Sequence, residues 1–227
     1  MKKSKLIQLF LKNYALSTEE VFAKYENKFF ENYEYSKKMF FDDVVFNKIQ
    51  NQDEKYIIEK CQSLKHHMDR RSPLDYGLDL VYGWIIEDII EKLLSNSGFD
   101  VVVSSADANR EFLTSSMIKS SSDFLVSKNG QRREIEILVD WKETWFKYNH
   151  LDLRDNKYLN LKNNNAILLG VSPQSNNFLL IDLSKPNLPF RENFIKAYNK
   201  NGFSIMDVQK YLIDFNEAIL RLDKLLL

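Results

Sequence analysis

Cysteine is almost absent. Cys61 is the only one in 227 residues, so no internal disulfide can staple the chain, and a lone thiol at helical spacing reads as a packed side chain rather than a nucleophile. Histidine is scarce too, with three in all. His66 and His67 are neighbours that would point roughly 100° apart on a helix, and His150 stands alone, so none has metal-ligand or dyad spacing. Net charge is missing as well, because 32 Lys and Arg balance 32 Asp and Glu. That excludes a protein held on nucleic acid by bulk charge alone, though not one with a local positive field. No apolar run approaches the ~20 residues that span a bilayer. The basic start at Met1-Lys2-Lys3 is soon interrupted by Gln8, Lys12 and Asn13, with no small-residue cleavage site after it. A cytoplasmic chain with no membrane partner is expected. Neither a Pro- or Gly-rich linker nor an internal repeat divides it.

What remains is a composition that can build one substantial core, 44% hydrophobic and 13% aromatic. A single domain over 1–227 is expected, in three stretches: an N-terminal helical region (1–72), a core (73–185) and C-terminal helices (186–227). In the first, Ser17-Thr18-Glu19-Glu20 fits a capping box, and aromatic stripes recur at helical spacing. Lys65–Arg71 is its one basic cluster, and Arg70 and Arg71 read either as phosphate contacts or as a solvated helix end. After Ser72-Pro73, a helix is expected over about 75–96, with Ile85, Ile86, Ile89, Ile90 and Leu93 in one stripe and Gly98 as its stop. Glu87 lies just off that stripe.

Phe99–Val103 reads as a strand, and Ser104–Ser122 as a long polar loop, which at that length is commonly functional. Residues 143–161 read as a helix or interrupted helix. Strands are expected at 166–171 and 178–183, a helix near 191–200, a turn at Asn201-Gly202, and a long last helix opening at Ser204. The order predicts an α/β fold, a mixed central β-sheet flanked by helices, with extra N- and C-terminal helices.

The chemistry concentrates in residues 121–142. A short apolar run, Asn129-Gly130 and an alternating strand predict a β-hairpin. Ile135, Ile137, Val139 and Trp141 share one face of the second strand; Glu134, Glu136, Leu138, Asp140 and Lys142 share the other. An aspartate on one strand and Asp-x-Lys on its partner can place two carboxylates and an ammonium together. Such oxygen donors suit Mg²⁺, which activates water and neutralises phosphodiester charge, while the lysine positions or deprotonates that water. Register is the difficulty. A tight Asn129-Gly130 turn pairs Asp123 with Glu136, ~13 Å along the strand from Asp140. Pairing Asp123 with Asp140 needs a wider loop over about 129–134.

Asp123 followed by Asp140-Trp141-Lys142 resembles the PD-(D/E)xK nuclease motif. Ser122-Asp123-Phe124-Leu125 with Ile137-Leu138-Val139-Asp140-Trp141-Lys142 is most similar to the EcoRV-like type II restriction endonucleases, and Gly83-x-x-x-Glu87 resembles the helix that supplies an extra acid in many such enzymes. Ser122 stands where the motif has proline, and the 104–122 insertion departs from the EcoRV-like group. The resemblance covers about 76–183. It implies a restriction-endonuclease-like core and Mg²⁺-dependent hydrolysis of double-stranded DNA by a homodimer at a palindromic site. Asp123 and Asp140 would then bind metal, with Lys142 as catalytic lysine and Glu87 as supporting acid. The competing readings are a repair, recombination or RNA-cleaving relative, a non-catalytic DNA-binding protein, or an α/β protein whose Asp-x-Lys is a surface pair. For DNA contact the polar candidates are Asn109, Arg110, Lys147, Asn149, Arg154, Lys157 and Gln174, each also readable as ordinary surface.

Overall fold

The computed structural model describes residues 93–105, 121–140, 143–172, 177–195 and 200–226, with Gly83, Ile86, Glu87, Ile90 and Glu91. The helices expected over 1–72 fall outside these residues. A helix (α1) has described positions at 83, 86, 87, 90, 91 and 93–96. Ile86, Ile90 and Leu94 recur every fourth residue along it and are all buried, which is why this face packs inward. Ser97 and Gly98 end it with bonds back to Leu94 and Ser95, and Gly98 takes a left-handed φ of 84°.

A six-stranded mixed sheet follows. Its members are β1 (Asp100–Val103), β2 (Phe124–Lys128), β3 (Gln131–Val139), β5 (Ile167–Val171), β6 (Phe178–Asp182) and β9 (Leu212–Ile213), in the spatial order β1-β2-β3-β5-β6-β9. Only β3 and β5 run parallel; the other neighbours are antiparallel. The parallel pair needs a crossover, which here contains α2 (Thr144–Tyr148), β4 (His150–Arg154) and α3 (Asp155–Asn163). One face of the sheet packs on α1 and α4 (Phe215–Leu225), where Ile90, Leu94, Leu169, Phe178, Ala218 and Leu222 meet. Against the other face, Trp145, Tyr158 and Leu161 pack on Leu168, Leu179 and Ile181. Trp145 fits because Gly170 has no side chain; a β-carbon there would lie 2.5 Å from the indole. The expected α/β class, a mixed sheet with helices on it, is the one observed.

Several boundaries differ from expectation. Residues 143–161 are not one helix. The alternation Leu151, Leu153 buries both leucines, and β4 forms there, paired with β8 (Lys200–Met206). The helix expected near 191–200 is strand β7 (Phe190–Ile195), and β4-β8-β7 make a second, three-stranded sheet. Gly202 is not in a turn but inside β8, where Ile195 and the Leu153 carbonyl fill the space a side chain would need. Ser204 does not open the last helix. It is fully buried in β8, donating to Asp152 and accepting from Asn193 at 2.6 Å. The helix opens ten residues later at Asp214, whose carboxylate caps the Glu217 amide at 2.9 Å. So the described part of 186–226 holds strands before the α-helix Phe215–Leu225.

Candidate active site

The hairpin is tight. Lys128 faces Gln131 and Phe124 faces Ile135, with Asn129 at φ 52° and Gly130 at φ 80°, the two positive angles of a two-residue turn. The wider loop that would set Asp123 against Asp140 is absent. Carrying the register one step further puts Asp123 opposite Glu136. There the strands part, and Asp123 Oδ2 accepts the Ile137 amide at 2.7 Å in place of a backbone partner. The Asp123 carbonyl accepts Ser104 N at 2.8 Å and Ser105 N at 3.3 Å, and Ser104 Oγ donates to the Ser122 carbonyl at 2.9 Å. Both ends of the 104–122 excursion are therefore tied at Asp123, although its middle, 106–120, is outside the described residues. Ser122, in the place of the motif's proline, donates to Glu134 at 3.0 Å.

Glu136 is the unusual group. It sits in the middle of β3 with 3% of its surface exposed, between Ile135 and Ile137. One oxygen pairs with Lys157, which rises from the first turn of α3. The other, Oε2, is buried with no hydrogen-bond partner among the described residues, a costly state for a carboxylate oxygen unless some ligand meets it. Burial first, then the Asp123 charge and more weakly Glu87, push the Glu136 carboxyl up to about 8 against the pull of Lys157. The Lys157 ammonium is in turn held above the ordinary lysine range: burial works against it, and the charges of Glu136, Asp123 and Glu87 outweigh that. Among the described residues, Lys157 stands with three acids: burial and their negative charge together raise Glu136, and that charge holds Lys157 up against its own burial.

Asp140 is buried at 5% exposure where β3 ends, its amide donating to the Val171 carbonyl at 2.9 Å. Its Oδ1 accepts Thr144 Oγ1 at 2.9 Å and its Oδ2 accepts Trp145 N at 2.8 Å. These bonds hold the start of α2, four residues along β3 from the position facing Asp123. The fold thus brings Glu87, Asp123 and Glu136 within electrostatic reach of one another, while Asp140 holds the start of α2. Lys142, Asn109, Arg110 and Gln174 lie outside the described residues. Lys157, expected among DNA contacts, faces the acids instead. Asn149 is a structural residue, with φ 53° at the end of α2 and Oδ1 accepting Gln209 N at 2.9 Å. Lys147 and Arg154 are exposed on α2 and at the start of α3. The sequence around the hairpin held no signal for Lys157: with Asp123 facing Glu136, the residue two beyond that acid is Leu138, and the ammonium that meets Glu136 comes from α3.

Among the described residues no three His, Cys, Asp or Glu side chains converge on one metal position as they stand. The donor chemistry does fit a hard divalent cation: carboxylate oxygens, one of them buried and unpartnered. Nor is any described helix long and apolar enough to cross a membrane.

No family model matches the sequence, and no curated protein matches it. Among solved structures, the chain is similar to Hjc, a Holliday junction resolvase from the archaeal hyperthermophile Archaeoglobus fulgidus. The identity is 13% and the TM-score 0.37, with 60% of this chain and 96% of that one covered.

Proposed function

We propose that this protein is a divalent-metal-dependent nuclease of the PD-(D/E)xK kind, hydrolysing DNA phosphodiesters at a centre built from Glu87, Asp123, Glu136 and Lys157. The observation that carries the reading is the buried, unpartnered Glu136 Oε2 beside a second acid and an ammonium. Asp123 and Glu136 are the residues that would hold Mg²⁺, with Glu87 supporting; when bound, the ion lowers the pKa of water and offsets phosphate charge. Lys157 stays protonated through the neutral range, since its pKa is raised. Its role is therefore to orient a phosphate oxygen and oppose the charge that develops there, not to remove a proton. Buried Glu136 must lose its proton before it can ligate, and that requirement makes metal affinity rise with pH.

The finer reading, a restriction endonuclease cutting both strands as a homodimer, rests on the likeness of residues 122–142 to the EcoRV-like group. Asp140 is the acid on which that likeness turns, and its bonds to α2 weaken the support. Nuclease chemistry is the better-supported level. The test is incubation of mixed DNA substrates with the protein and Mg²⁺, beside EDTA and Glu136→Gln controls. Metal-dependent cleavage lost in the variant is expected, and discrete bands would favour the restriction reading over a smear. Intact DNA of every form tested would refute the proposal.

A further inference from the structure

Away from the acidic centre, α2 and the 3-10 turn beside it (Val208–Tyr211), whose Val208 is buried and Tyr211 packed on the core, carry an exposed ridge of side chains that folding alone does not explain. The Asp140 carboxylate clamps the first turn of α2, and Trp145 is buried over Gly170. The far end is held by Gln209, whose amide donates to Asn149 and whose Nε2 donates to the Phe146 carbonyl at 2.5 Å. A helix fixed on so many sides need not show apolar rings to water, yet Phe146 is 61% and Tyr148 55% exposed. At ~100° per residue Lys147 points away from Trp145, and the Phe146 and Tyr148 rings stand on the two sides of the helix, one on each flank of Lys147. Lys147 Nζ lies 5.2 Å from the Tyr148 ring centroid and has no carboxylate partner among the described residues. On the adjoining turn Lys210 lies 5.3 Å from the Tyr211 ring, sharing only an exposed contact of 3.8 Å with Asp207.

We infer that this ridge receives unpaired nucleotides of the substrate strand, its rings stacking on bases and Lys147 and Lys210 meeting phosphates. Flat rings interleaved with ammonium groups suit bases and phosphates better than the aliphatic surface of a protein partner, and only unpaired bases offer free π-faces. The inference rests on the nuclease reading. Asp140, which holds the start of α2, follows Glu136 by four residues, ~13 Å along extended chain.

The experiment is fluorescence anisotropy in EDTA, with labelled single-stranded and duplex oligonucleotides of the same sequence. The Phe146→Ala/Tyr148→Ala variant is compared with a ring-keeping control, Phe146→Trp/Tyr148→Phe. The first is expected to lose about tenfold or more in single-strand affinity, with duplex affinity changed less than about twofold; the control keeps both. Equal single-strand affinity in wild type and the ring-less variant, an equal loss on duplex, or no binding by wild type would overturn the inference. A parallel cleavage assay separates the two proposals. Ring-dependent binding without cleavage refutes the nuclease alone, and cleavage with ring-independent binding refutes the ridge alone.

Discussion

Glu136 lets the charge excess at the acidic centre be measured without any substrate. Its carboxyl rises from an ordinary 4.5 to about 8, chiefly through burial and then the Asp123 charge. Three and a half decades in proton affinity, at ~1.4 kcal/mol per decade, is on the order of 5 kcal/mol as an upper figure. The sign follows from linkage. Between pH 4.5 and about 8 the folded protein holds a proton that the unfolded chain has released, so stability falls as pH rises across that window and the full penalty is present above it. Glu136→Gln keeps the shape and the neutral state, and so removes this slope. In EDTA, urea denaturation from pH 5 to 9 is expected to give similar stabilities at the acid end. The variant should pull ahead by a few kcal/mol at pH 9. Adding Mg²⁺ or Mn²⁺ should then stabilise the wild type, more at pH 8 than at pH 6, and leave the variant unmoved. A stability difference that does not grow with pH, or a variant weaker at every pH, would show an ordinary Glu136–Lys157 ion pair and refute the reasoning.

Four further outcomes follow from the same contacts. Lys157→Met should lower cleavage by about a hundredfold or more while metal-induced stabilisation persists, and Lys157→Arg should restore part of the rate; an unchanged rate in Lys157→Met excludes the lysine from the chemistry. Asp140→Ala should cost ~1–3 kcal/mol in denaturant unfolding by freeing the Thr144 and Trp145 donors. It should leave metal-induced stabilisation intact, whereas loss of that stabilisation would return Asp140 to the metal site. Gly170→Ala should destabilise by roughly 1–3 kcal/mol through collision with Trp145, and Trp145→Leu should recover part of that, a coupling a double-mutant cycle would read directly. Gly130→Ala should cost about 1 kcal/mol, because the turn needs φ 80° there; no loss would mean a different turn in solution.

How much of this could be read from the sequence depended on whether the signal was local. Val101, Ile135, Ile167 and Leu179 lie in short apolar runs bounded by turn residues, and β1, β2, β3, β5 and β6 all fall where those runs predict strands. The helix with Glu87 was legible because its buried residues repeat every three to four positions. Strands β4, β7 and β8 were not, since each is half polar and stabilised by partners distant in sequence, as Leu153 facing Phe203 shows. Composition alone marks such residues as helix or loop, and only the pairing makes them a sheet.

The site shows the same division at finer scale. Asn129-Gly130 was the strongest local signal in the chain, and the two-residue turn it demands is the one observed. Motif likeness pointed instead to Asp140 and Lys142, which required overriding that turn. A hairpin's register is decided by its turn, because shifting it would cost every paired residue between Lys128 and Phe124 its partner. The motif offered no comparable energy to set against that loss. Once the turn is kept, Asp123 meets Glu136, Asp140 is left to cap α2, and the ammonium has to arrive from outside the hairpin. No spacing rule within residues 121–142 could locate Lys157, because α3 reaches Glu136 only after the chain has crossed through α2 and β4. The carboxylates were therefore within reach of sequence reasoning. Their cation was a tertiary fact.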